Sequence, residues 1–120
     1  MNYFQIPSLS DVYLEDSYVL AIHEYDSKIV FDLEVVLIET HPFYEAPSKG
    51  EKYCYRKSSL SFIGVQSVEW LDRQFIRFSD ASGESDYGNI DSFTKEGELC
   101  HLAGDWGEVK IRCASVELVR

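Results

Sequence analysis

The chain has no C-x-x-C pair, no G-x-S-x-G elbow and no glycine-rich phosphate loop. Their absence removes the sequence signatures of a zinc site, of an α/β-hydrolase nucleophile and of a nucleotide cradle. Long apolar runs are missing too: none approaches the roughly 20 residues needed to cross a bilayer. Bases are scarce, with 11 Lys and Arg against 21 Asp and Glu and a net charge of −10. Such a surface repels phosphate backbones, so neither direct nucleic-acid binding nor docking on an anionic membrane is expected. The opening MNYFQIPSLSD lacks the basic and apolar regions of a secretory signal, which points to the cytoplasm. Cys54, Cys100 and Cys113 are an odd number and cannot all pair within the chain. Reduced, half-buried thiols are expected. His41 and His101 add no ligand spacing to them, so neither metal nor cofactor is expected.

What is present is enough for one domain spanning 1–120. At 120 residues, with 45 % hydrophobic content, the chain can bury a core without staples. Aromatics reach 14 %, as a sheet protein would have. The stretch 17–38, SYVLAIHEYDSKIVFDLEVVLI, reads as two strands joined at Asp26-Ser27. In the second strand Ile29, Phe31, Leu33, Val35 and Leu37 share one face, while Asp32 and Glu34 lie on the other between Val30 and Val36. Alternation of period two buries one side of a strand and wets the other. The first strand is apolar on both faces, which places it inside the sheet.

The remaining segments extend the same grammar. Residues 8–14 offer a capped helical turn, with Asp11 near its positive end. Residues 39–52 form a long loop marked by Pro42 and Pro47, with Phe43 and Tyr44 at its centre, and folding back on the core is favoured over contact. Residues 53–65 are a strand that Gly64 interrupts. Residues 67–73 suit a short helix or, preferably, a strand and turn leading into a strand at 74–78. In the polar loop 79–89, Asp80, Ser82, Glu84, Asp86 and Asp91 fall at calcium-loop spacing, but Ser85 stands where glycine is required, so a solvated loop is expected. From Ile90 onward the chain reads as a meander. Its last strand, 109–119, changes parity at Cys113-Ala114-Ser115, which predicts a bulge or bend where the strand passes between sheets. The fold class is therefore all-β (or a β-rich α+β): an antiparallel meander or sandwich of about seven or eight strands, with 17–38 central and one or two short helices at most, at 8–14 or 67–73.

No catalytic constellation emerges. Cys100 and His101 are adjacent on a strand and point to opposite faces, so they are not a nucleophile–base pair. Charge is uneven: residues 1–50 carry nine acids against two lysines. The segments L-E-D-S-Y-V-L-A-I (14–22), L-S-F-I-G-V (60–65) and L-A-G-D-W-G-E-V-K-I (102–111) give the chain a style that resembles the small, acidic, all-β orphan proteins of bacteria, which include immunity proteins of polymorphic toxin systems. That resemblance implies a non-enzymatic, stoichiometric inhibitor whose acidic face covers the cleft of a basic toxin. Asp11, Glu15, Asp16, Glu24 and Asp26 are the candidate contact residues. The alternative is a small-molecule binding or catalytic site in the sheet concavity, lined by Tyr18, Tyr53, Tyr55 and Trp70. A third reading is a self-associating module, in which case Lys110, Arg112 and Glu117 would blunt the last strand as an edge. A monomer or weak dimer is expected.

Overall fold

The computed structural model describes residues 1–47, 49, 53–74, 78–79 and 85–119, with backbone alone at 78, 79 and 85. Two single-turn 3-10 segments, Tyr3–Gln5 and Pro7–Leu9, precede ten strands. These are β1 (Val12–Glu24), β2 (Lys28–Leu37), β3 (Cys54–Ile63), β4 (Ser67–Arg73), β5 (Phe78–Ser79), β6 (Ser85–Asp86), β7 (Ile90–Glu96), β8 (Leu99–Gly104), β9 (Gly107–Arg112) and β10 (Ser115–Val119). One sheet runs β1-β2-β3-β10 and a second β4-β9-β8-β7, while the two-residue strands β5 and β6 pair with each other. All pairings are antiparallel. The all-β expectation holds, with eight strands in two four-stranded sheets.

The alternating face of β2 drives the packing. Ile29, Phe31, Leu33, Val35 and Leu37 are all buried and meet Val109, Ile111, Leu102 and Phe93 of the other sheet in one cluster. Phe31 is central: its ring stands edge-on to Trp106 at 5.1 Å and to Phe62 at 5.8 Å. Edge-to-face rings fill the interior and add to the apolar burial that holds the sheets together.

The parity change at 113–115 is where the chain turns from one sheet to the other. β9 belongs to the second sheet and β10 to the first, and β3 and β4 cross beside them in the opposite direction. Between the pairs Ile63↔Ser115 and Ser67↔Arg112, three residues (Gly64, Val65, Gln66) oppose two (Cys113, Ala114). The extra residue bends the paired ribbon, as a bulge does where strands switch sheets. The Ala114 amide closes the corner on the carbonyl of Ile63 at 2.9 Å. Gly64 sits there at φ +66°, and a Cβ on it would lie 2.9 Å from that of Ala114.

Several expectations require correction. Val12, Tyr13 and Leu14 are not helical; β1 begins at Val12 because residues 12 and 13 pair with Leu37 and Val36. Residues 67–73 are strand throughout. The first strand of the hairpin is an edge of its sheet, not interior. Its outer edge is met by a backbone bridge in which Val19 exchanges amide and carbonyl with Gly88 and Tyr87, each at 2.8 Å. Lys110 and Arg112 guard no edge either, since β9 is flanked by β4 and β8; within 109–119 the edge is 115–119. The loop at 39–44 does turn back, with His41 buried and Tyr44 packed against the core, although Phe43 stays exposed. The strand expected at 74–78 and the calcium-like spacing at 80–84 fall largely outside the described residues, while Asp86 and Asp91 sit in β6 and β7.

Candidate functional site

Registers across the first sheet lay out its outward face in rows. Tyr13, Val36 and Tyr55 are neighbours in one row, and Tyr18, Glu34 and Lys57 in the next. Ala21, Asp32, Ser59 and Val119 form the third, and His23, Val30, Ser61 and Glu117 the fourth. Successive residues alternate between faces, so each row is the outward partner of a buried one. Tyrosine therefore dominates one end of the face, and polar groups the other.

At the tyrosine end, the rings of Tyr18 and Tyr55 lie 5.9 Å apart, and Tyr53 meets Tyr55 edge-on at 6.1 Å. Burial pushes the Tyr55 phenol well above its ordinary range, with Tyr18 and the Asp16 carboxylate adding to the shift. It is therefore a neutral donor at any ordinary pH. Beyond Tyr13 and Val36, the end of β2 and the loop after it frame an open cleft of about 510 Å³, walled by Tyr13, Tyr44 and Tyr53 with Ile38 and Glu39. A second open hollow, about 320 Å³, lies among Leu20, Asp32, Lys57, Ser59 and Val119. There Asp32 receives His23 Nε2 at 2.7 Å on one oxygen and the Ser59 hydroxyl at 3.3 Å on the other. With the carboxylate between histidine and serine, nothing deprotonates the hydroxyl, so the group is not a nucleophilic triad.

The structure scatters the candidate contact carboxylates along β1. Asp11 accepts from the Thr40 hydroxyl at 2.7 Å, beside the cleft. Glu15 turns to the opposite side, accepting from Tyr3 at 2.5 Å. Asp16 lies toward Tyr55. Glu24 reaches the second sheet, where Trp70 Nε1 donates to it at 2.8 Å and Arg73 pairs with it. Asp26 is exposed in the hairpin turn. They do not form one patch.

The aromatic set separates as well. Tyr18, Tyr53 and Tyr55 gather on the outside of the first sheet, whereas Trp70 belongs to β4 and stands perpendicular to Trp106 at 6.0 Å. The concavity itself is filled by Phe31, Phe62, Phe93 and Trp106. Sequence reasoning missed Tyr13, Tyr44, Val36 and Glu39. The parity of β2 pointed to Val36, but Tyr13 joins it only through a cross-strand pairing that no local pattern displays.

Cys100 and Cys113, both buried, bring their sulfurs to 4.0 Å, and Cys54 is half-buried. The Cys113 sulfur, then burial, push the Cys100 thiol far above its ordinary range, so it is an inert core thiol. Among the described residues no three His, Cys, Asp or Glu side chains converge as a metal site, and no helix is long and apolar enough to cross a membrane. Compared with known proteins, the chain matches no family model, no curated protein and no solved structure.

Proposed function

We propose that this protein is a non-enzymatic binding module that captures a basic protein, in the manner of an immunity protein covering the cleft of a cationic toxin. The observation that carries this is the outward face of the first sheet. It joins the Tyr13, Tyr18, Tyr53 and Tyr55 rings to the carboxylates Asp16, Asp32, Glu34 and Glu39, with Lys57 among them. Tyrosine gives large, rigid contact area at low entropic cost and recurs at interface anchors. Carboxylates around it, on a chain of net charge −10, steer a cationic partner toward it. The filled core and the separated Trp70 count against the small-molecule reading in the concavity. The proposal sets the protein in a reducing bacterial cytoplasm, in which Cys54, Cys100 and Cys113 would stay thiols.

Co-purification from the native host, followed by association kinetics over a salt series, tests it. The expected result is a basic partner whose association rate falls steeply with salt and whose binding weakens about tenfold or more in Tyr18→Ala and Tyr55→Ala. Salt-independent association, or full affinity in both variants, overturns it.

A further inference from the structure

Twice among the described residues an arginine is seated by one aromatic ring and one carboxylate. The Arg73 guanidinium lies 4.5 Å from the centre of the Trp70 ring and pairs with Glu24. Arg56 lies 5.7 Å from the centre of Phe43 and pairs with Glu45 at 4.0 Å. The cleft at the end of β2 repeats the combination, with the Tyr13, Tyr44 and Tyr53 rings and the Glu39 carboxylate, and among the described residues no Lys or Arg lines it. Asp11 stands next to it, bonded to Thr40 of the rim.

We infer that this cleft receives an arginine side chain of the basic partner, an assignment that rests on the reading of the outward face given above. A planar guanidinium stacks on tyrosine while its fork of donors meets a carboxylate, and its methylene stem lies against aliphatic surface, here Val36 and Ile38. A purely apolar occupant would desolvate Glu39 without a counter-charge, which is costly. The chain's own net charge of −10 favours a cation at this site over an anion or a neutral group.

The test is a two-dimensional NMR titration of the intact chain with N-acetyl-arginine methylamide, its citrulline counterpart (the same shape without charge) and its lysine counterpart. Saturable shifts are expected at the Tyr13 and Ile38 amides, with the arginine probe bound about tenfold more tightly than the citrulline one. Glu39→Gln and Tyr13→Ala, both at exposed positions, should each weaken the arginine probe several-fold while leaving thermal unfolding unchanged. Equal binding of the citrulline probe, or no saturable shift at those amides, overturns the assignment; equal binding of the lysine probe overturns the guanidinium preference. Failure of the probe removes the cleft whatever the partner does. A probe that binds, in a chain that captures no basic protein, removes the reading of the face and leaves a guanidinium site.

Discussion

Ser17 is fully buried and uses its hydroxyl in both directions, donating to the Tyr13 carbonyl at 2.7 Å and accepting the Val36 amide at 2.9 Å. Its own carbonyl accepts from Asn89 at 2.6 Å, tying β1 to the segment before β7. Ser17→Ala strands a buried amide, so the denaturant midpoint should fall by the equivalent of about 1–3 kcal/mol, with an unchanged slope. A second residue acts through pH. Burial raises the Asp91 pKa above its usual value, and Asp105 and Glu15 raise it further. The folded chain thus holds this proton more tightly than the unfolded one. The associated stability is present below the unfolded pKa and is lost as pH rises through the folded one. Asp91→Asn should therefore be the more stable form near neutral pH, by roughly a few tenths of a kcal/mol because the group is exposed, with the difference gone in acid. Thermal melts of both forms across pH decide it; a variant less stable at neutral pH contradicts the sign. Neither role was legible in the sequence, because Ser17 depends on Val36 and Asn89, and Asp91 on Asp105 and Glu15, which only the fold brings near.

At the scale of elements, the corner and the bulge in β1 differ in how they were encoded. The corner is visible as a parity change at 113–115 and as a glycine at 64, since the same chain must present apolar side chains first to one sheet and then to the other. Gly64→Ala should destabilise the protein, because the residue holds φ +66° and its new Cβ would press on Ala114 at 2.9 Å. Adding Ala114→Gly removes the collision but not the backbone strain. The double variant is expected to recover part of the loss, about half, measured as a non-additive change in unfolding free energy. Strict additivity would show that the two sites do not press on each other. The bulge, by contrast, sets four residues, 14–17, against Val35 alone. It switches the inward side chains from even positions (Val12, Leu14) to odd ones (Ser17, Val19), and period-two reading through 14–22 was blind to it.

For the whole molecule, edges and charge decide association. β10 presents its outer edge, yet the Leu118 amide already meets the Ser8 hydroxyl at 3.4 Å, and Glu117 is charged and exposed. A covered, charged edge resists pairing with a second chain. The net charge of −10 adds mutual repulsion between copies. Light scattering over a concentration range should return a monomer, or a dimer that dissociates on dilution and strengthens with salt. A dimer persisting at nanomolar protein would show that an edge or the tyrosine face is closed by a second copy.

The amino-acid pattern alone determined the all-β class, the inward face of β2, the turn at 25–27, the meander and the corner. Each of these is local, arising from side-chain alternation, turn residues and parity over a few positions. Tertiary structure decided the rest: which strands stand at edges, that Trp70 leaves the tyrosines, that the acids of β1 diverge, and that Tyr13, Tyr44 and Tyr53 frame a cleft. Those outcomes depend on which strand pairs with which, and in what register. Pairing is set by the summed burial of both sheets around Phe31 and Trp106, a non-local quantity that no window of the sequence contains.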